Sequence, residues 1–209
     1  MVRSDHHASG FVFLSLKLLT MTNIAILASG SGTNAQRISE YFANHPSIRV
    51  KLILSNKPDA YVLIRAQHLG IPWQVFNRKP FYETNELPEL LKKNHISFIV
   101  LAGFLWLIPK NLLEIYPGRI LNIHPALLPK YGGKGMYGER VHEAVIRAGD
   151  QESGISIHFV NEMYDAGDII FQARCPVLPD DTPASLAGRI HELEYEYYPK
   201  VIEDIVMKG

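Results

Sequence analysis

From Asn23 onward the chain alternates short apolar runs with stretches whose apolar residues recur every three or four positions, the signature of strand and helix in turn. The runs Asn23–Ala28, Val50–Ser55, Trp73–Phe76, Phe98–Gly103 and Arg119–His124 predict strands, with helices expected over about 33–45, 60–69, 86–94 and 109–116. The inner runs are apolar almost throughout rather than alternating, as strands covered on both faces are. The order predicts an α/β, Rossmann-like open sheet, mostly parallel, with helices on both faces.

After His124 the pattern changes. The Pro- and Gly-rich stretch Pro125–Gly135 leads to a helix expected over about 137–149, then to two strand-like runs, Gly154–Val160 and Asp168–Val177. Only a short polar segment separates these runs, so an antiparallel pair is expected at the C-terminal end of the sheet. Thr182-Pro183 predicts the start of a last helix, with Thr as N-cap and Pro at the first helical position.

Residues 1–20 interrupt this reading. They contain an apolar stretch behind an arginine but no small-x-small cleavage site, and they are too short to span a bilayer. They are read as a leader or mis-assigned start, with one domain expected over 21–209. The 209 residues carry 21 Lys and Arg against 21 Asp and Glu, so no global charge draws the protein to nucleic acid or an anionic membrane. The single cysteine, Cys175, sits in an apolar run and reads as a strand residue, which suits a reducing cytoplasm. Nine histidines are present, yet no metal-binding spacing accompanies them, and no metal is expected.

Gly30-Ser31-Gly32-Thr33-Asn34 joins the first strand to the first helix. Unpaired N–H groups at a helix start favour an anion, so the loop is either a phosphate cradle or a tight turn needing glycine. Gly30, Gly32 and Ala35 also fit a dinucleotide fingerprint, but its acid at the end of the second strand is missing: Ser55-Asn56-Lys57 stands there. No Gly-Lys-Ser/Thr closes an ATP loop either. A monophosphate fits better than NAD or ATP.

Asn122 and His124 share one face of the fifth strand, and Pro125 places them at its C-terminal end, where ligands bind in open α/β sheets. Asp165, between the last two strands, is either a turn former or a carboxylate set beside His124, orienting the imidazole and raising its pKa. Asp168 and Glu162 are the alternative carboxylates. His142, on a helix, and His158, in mid-strand, read as structural, His158 with a supporting place behind the site.

Together Gly30–Asn34, Asn122-Ile123-His124-Pro125-Ala126-Leu127-Leu128-Pro129 and Asp165-Ala166-Gly167-Asp168 resemble the folate-dependent formyltransferases, over essentially Thr22 to Val206. The Gly-x-Gly-Thr-Asn loop is similar to that of members acting on glycinamide ribonucleotide. The resemblance implies transfer of the formyl group of 10-formyltetrahydrofolate to that amine in purine synthesis, with small-molecule partners and a monomer or homodimer. It implies that Asn122 and His124 act on the formyl oxygen and that Asp165 orients His124 and moves the proton. It further implies that Gly32, Thr33, Asn34 and Ala35 hold the phosphate, that Glu194 contacts the ribose, and that Leu105, Trp106, Leu107 and Ile108 border the pterin together with Asn122.

The chain departs from the family in three places. Leu105-Trp106 stands where members often read Met-Arg, Thr84 aligns with a folate-associated arginine, and residues 131–138 replace a His-rich loop. The last is read as a mobile cover over the site.

Overall fold

Alternate residues of the inner strands enter opposite cores. On β1 (Thr22–Leu27), Ile24 and Ile26 join one apolar cluster, and Ala25 and Leu27 the other. On β4 (Ile96–Leu101), Phe98 and Val100 face the first, Ile99 and Leu101 the second. These strands are apolar throughout because both faces are covered. The computed structural model describes residues 21–208; the segment 1–20 lies outside the described residues.

β2 (Ile48–Ser55), β3 (Trp73–Val75), β5 (Ile120–His124), β6 (Glu152–Phe159) and β7 (Ile169–Pro176) complete a seven-stranded sheet of order β3-β2-β1-β4-β5-β6-β7. It is parallel from β3 to β5. β5 and β6, and then β6 and β7, pair antiparallel. The chain builds outward from β1 to β3, then crosses back to lay β4 on the other side of β1. The loops after β1 and β4 therefore part and leave a crevice between them.

The first core is closed by α1 (Thr33–Tyr41), α2 (Val62–His68), α6 (Glu139–Ala148) and α7 (Pro183–Lys208). The second is closed by α3 (Arg78–Tyr82), α4 (Glu86–Lys93) and α5 (Lys110–Ile115). α1 ends four residues before the expected 45, because the chain tightens into i−3 hydrogen bonds from Ala43 to Glu40 (3.3 Å) and His45 to Phe42 (3.2 Å). The five-residue α3 is too short to give a periodic signal. Its Asn77 N-cap, accepting from the Lys79 N–H at 3.1 Å, is the local cue.

α7 begins as the sequence predicts: Thr182 Oγ1 accepts from the Ser185 N–H at 3.1 Å, and Ser185 Oγ accepts from the Thr182 N–H at 2.9 Å. It then continues through Pro199, which would ordinarily break it. Burial of Tyr198, Val201 and Ile202 holds that stretch against α1 and the sheet. The Tyr198 hydroxyl adds hydrogen bonds to the carbonyls of Leu101 (2.9 Å) and Leu121 (3.3 Å), the ends of β4 and the middle of β5.

Candidate active site

Three strand ends meet at Ser29. Its hydroxyl donates to Asn56 Oδ1 at 2.7 Å and accepts from the Leu105 N–H at 3.1 Å, tying the ends of β1, β2 and β4. Asn56 thus fills the strand-end place where a dinucleotide site keeps its acid. Gly32 caps α1 at φ 75°, and a Cβ there would lie 2.5 Å from the Val62 side chain, so the turn and its approach to α2 both need glycine. Thr33 and Asn34 open onto a cleft of about 620 Å³. Ala35, expected beside the phosphate, instead buries its side chain in the first core. Only its backbone N–H, in the first turn of α1, is available to an anion.

Across the cleft, Asn122 and His124 share one face of β5. His158 is the register partner of Asn122 on β6. The His158 Nδ1–H donates to the Phe159 carbonyl at 2.7 Å, which leaves Nε2 as acceptor for the Asn122 amide at 3.1 Å. The other amide hydrogen reaches Asp165 Oδ1 at 3.3 Å. Asp165 Oδ2 accepts from the Gly133 N–H at 2.9 Å and lies 3.5 Å from His124 Nδ1. The His124 Nε2–H donates to the Tyr131 carbonyl at 2.7 Å.

Two non-glycine residues of this network, Tyr131 (φ 57°) and Asp165 (φ 53°), are left-handed. Asp tolerates that region, whereas for a ring-bearing residue it costs about 1–3 kcal/mol and is kept only where the surroundings enforce it. Tyr131 is held by its hydroxyl on Asp150 (2.9 Å), and Asp150 also takes Lys130. The Asp165 loop is placed by Gly167, where a Cβ would fall 1.8 Å from the Phe159 carbonyl oxygen. Of the alternative carboxylates, neither Asp168 nor Glu162 lines the cleft, and the Asp168 carbonyl accepts from the Phe159 N–H at 3.0 Å.

Burial dominates the titration of His124. It lowers the imidazole pKa, against the opposing pull of Asp165 and the Tyr131 carbonyl, so the expected net rise is reversed. Burial pushes the Asp165 carboxyl up. The two histidines and the Gly133 N–H together outweigh it and hold the group below its ordinary value. At neutral pH the pair is therefore carboxylate beside neutral imidazole.

A third group of polar side chains lines the cleft wall, Glu194 among them beside Asn34. Glu194, on α7, is 6% exposed and accepts from Asn34 Nδ2 at 2.9 Å; burial pushes its pKa up to about 7, partly offset by that hydrogen bond. Asn34 Oδ1 and His142 Nδ1 are buried in the cleft wall without partners. Burial, helped by His191 and His124, lowers His142 to about 4. His142 and His191 both line the cleft, and neither was among the expected site residues. The available signal for His142 was a polar residue within the buried Val141–Val145 stripe of α6.

Of the segment expected at the pterin, Leu105 lines the cleft. Trp106, Leu107 and Ile108 do not: Ile108 is buried in the second core, the Leu107 carbonyl accepts from the Tyr82 hydroxyl at 3.0 Å, and Trp106 packs on Phe76, Phe81 and Phe104. The chain bends at Trp106 and carries Ile108 into the second core. Residues 133–138 form one wall of the cleft, pinned through Gly133 to Asp165. Cys175 is half-buried on β7, and burial raises its thiol pKa, so it is held as a thiol. Among the described residues no group of His, Cys, Asp or Glu is arranged to hold a metal.

An anion-receptive βα turn facing an amide, an imidazole and a carboxylate across one crevice defines a group-transfer enzyme on a nucleotide-binding type of sheet. The chain belongs to the formyl transferase family, whose model matches residues 22–202. It is 40% identical over 189 residues to the phosphoribosylglycinamide formyltransferase of Haemophilus influenzae, covering 88% of this chain and 86% of that protein. It is 43% identical over 186 residues to the chloroplastic enzyme of that name from Arabidopsis thaliana, matching 86% of this chain but spanning 63% of the plant protein's length. Among solved structures, phosphoribosylglycinamide formyltransferase from Streptococcus pneumoniae superposes with a TM-score of 0.78 at 39% identity, covering 89% of this chain and 99% of that one. The Anaplasma phagocytophilum enzyme gives 0.81 at 33% identity, covering 90% and 89%.

Proposed function

We propose that this protein transfers the formyl group of 10-formyltetrahydrofolate to the amine of glycinamide ribonucleotide, giving the N-formyl product and tetrahydrofolate, as a step of purine synthesis. One observation carries the reading: Asn122 donates to Asp165 at 3.3 Å and His124 lies 3.5 Å from the same carboxylate, all three lining the cleft that the Gly32–Asn34 turn also lines. The cleft volume, about 620 Å³, is in the range that takes ligands of this size.

In this reading the ribonucleotide phosphate rests on the backbone N–H groups of Gly32–Ala35, and the ribose hydroxyls meet Glu194, Asn34 Oδ1 and His142 Nδ1, two of which lack partners within the protein. The folate enters past Leu105. Asn122 exchanges its long contact to Asp165 for the formyl oxygen, and His124 releases Tyr131 to become the second donor. As the amine attacks the formyl carbon, the oxygen gains charge that these two donors stabilise; each is worth about 3–4 kcal/mol in such a role. Asp165 takes the amine proton directly or through water and returns it to N10 as the carbon–N10 bond breaks, so that tetrahydrofolate leaves with its N10–H restored.

The same reading makes the protein a cytoplasmic enzyme of small molecules, monomeric or homodimeric, with no nucleic acid or membrane partner. Among the described residues no helix is long and apolar enough to cross a membrane. An absorbance assay of folate deformylation with and without glycinamide ribonucleotide tests the activity. Deformylation that ignores the ribonucleotide, or that needs a different amine such as an amino sugar, overturns it.

A further inference from the structure

His124 offers one ring hydrogen to two acceptors. At neutral pH its imidazole is uncharged and carries a single N–H, and the hydrogen bonds around the ring decide which nitrogen holds it. On one side the Asp165 carboxylate lies 3.5 Å from Nδ1; on the other the Tyr131 carbonyl lies 2.7 Å from Nε2. A carboxylate is the stronger acceptor, so the proton stays on Nε2 only while the carbonyl is held close and the carboxylate is kept back. The formyl-transfer reading needs it there, because Nε2 is the donor that turns to the formyl oxygen.

The carbonyl is held from outside the cleft. The segment leading to Tyr131 is tied to β6 and β7: Ser156 Oγ accepts from the Leu128 N–H at 2.9 Å and donates to the Ala126 carbonyl at 2.7 Å, and Gln172 Nε2 donates to the Leu128 carbonyl at 3.1 Å. Beyond Tyr131, the Gly133 N–H is engaged by Asp165 at 2.9 Å. Between these ties Tyr131 takes the left-handed turn, at φ 57°, that brings its carbonyl to the ring. A tyrosine leaves that conformation unless its surroundings fix it. The fixing group is Asp150, whose Oδ2 accepts from the Tyr131 hydroxyl at 2.9 Å. Asp150 directly follows Gly149, the left-handed end of α6, a helix seated by its buried Val141 and Val145. Lys130 Nζ closes on the same carboxylate at 3.1 and 3.2 Å, and the Tyr131 hydroxyl and this ammonium hold the Asp150 carboxyl below its usual range. Asp150 lines a separate cavity of about 410 Å³, which it shares with Tyr131, and not the cleft.

We propose that Asp150 is a positioning residue for the transfer: through the Tyr131 hydroxyl it keeps the Tyr131 carbonyl on His124 Nε2, and so keeps the donor hydrogen on that nitrogen. The proposal rests on the formyl-transfer reading, so its test includes a measurement on the free protein. Tyr131→Phe removes only the hydroxyl, Asp150→Ala removes its acceptor, and Asp150→Asn keeps an oxygen that accepts. Proton–nitrogen correlation spectra of the His124 ring read which nitrogen carries the hydrogen, with no substrate present. The wild type and Asp150→Asn should hold it on Nε2 at neutral pH, whereas in Tyr131→Phe and Asp150→Ala it should pass in part or wholly to Nδ1. In turnover the Phe and Ala variants, with native circular dichroism, should lose about ten-fold in kcat at KM values near wild type for both substrates. The double variant Tyr131→Phe/Asp150→Ala should be no slower than the slower single one.

A wild-type ring that carries its hydrogen on Nδ1 overturns the proposal. So does a ring that keeps the hydrogen on Nε2 in both the Phe and the Ala variants, even where the rate falls, since the fall would then come through the fold. A hydrogen moved to Nδ1 with kcat unchanged, or additive losses in the double variant, overturns it as well. Ring spectra that respond as expected in a protein that forms no formylated glycinamide ribonucleotide uphold the Asp150 clamp and overturn only the proposed activity.

Discussion

His158 Nε2 lies 3.1 Å from the Asn122 amide nitrogen and, with its other nitrogen bound to the Phe159 carbonyl, can only accept from it. The imidazole therefore decides which way the amide faces: nitrogen toward Asp165 and the cleft. Replacing His158 by Gln should leave a folded protein in which the amide turns freely, with kcat lowered about ten-fold. Asn122→Ala and His124→Ala should each lose about a hundred-fold or more, as removal of an oxyanion donor does. The double variant Asn122→Ala/His158→Gln should be no slower than Asn122→Ala alone, because the second residue acts through the first. Steady-state rates on variants with native circular dichroism decide this, and additive losses would give His158 a separate role.

Asp165→Asn keeps the side chain's size and removes its charge. Because the carboxylate is what pulls the His124 pKa upward against burial, the variant should move that pKa further down. NMR titration of the His124 ring reads the shift. Affinity for the ribonucleotide should stay near that of the wild type while formyl transfer falls by about two orders of magnitude. The corresponding Asp168→Asn change should leave both nearly untouched, and the opposite pattern would move the catalytic carboxylate along the loop.

Glu194, proposed above to meet the ribose, also bears on stability. Its folded-state pKa of about 7 lies above its ordinary 4.5, so its contribution is fully present below about pH 4.5 and is lost as pH rises through 7. A shift of that size corresponds to roughly 3 kcal/mol, an order-of-magnitude figure. Glu194→Gln keeps an acceptor for Asn34 and removes the charge. Its melting temperature should match the wild type near pH 5 and exceed it at pH 8 by several degrees. A gap independent of pH would mean that the carboxylate is not titrating in its buried place.

His142→Ala should raise KM for the ribonucleotide about ten-fold while leaving KM for the folate unchanged, if the unpartnered Nδ1 in the cleft wall meets the ribose as proposed. His142→Asn, which restores a polar group of similar reach, should recover part of the loss. Calorimetric titration with ribose 5-phosphate checks the same contact without turnover. Equal binding by wild type and the alanine variant would return His142 to a structural role.

The inner strands were legible because double-sided burial leaves them no polar positions, and the strand-end placement of Asn122 and His124 followed from Pro125 and the two-residue period. α3 was not legible, because five residues carry no periodicity and only Asn77 marked it. The side-chain burial of Ala35 and Ile108 was hidden for another reason: a motif fixes which residues are near a ligand but not which of them turn inward. The sign of the His124 shift depended on how deeply the ring is buried, which no spacing states. His191 became a site residue only when α7 was laid across α1 and α6.

That helix sets a schedule as well as a shape. Asn34 and Glu194, which share a 2.9 Å hydrogen bond in the cleft wall, are 160 residues apart, and Tyr198 ties the same helix to β4 and β5. A contact of such sequence separation makes the fold dependent on non-local pairing, which slows folding more than it costs stability. α7 brings Leu186, Ile190, Tyr198 and Ile202 into the first core, so the helix that completes that core also completes the cleft wall at Asn34.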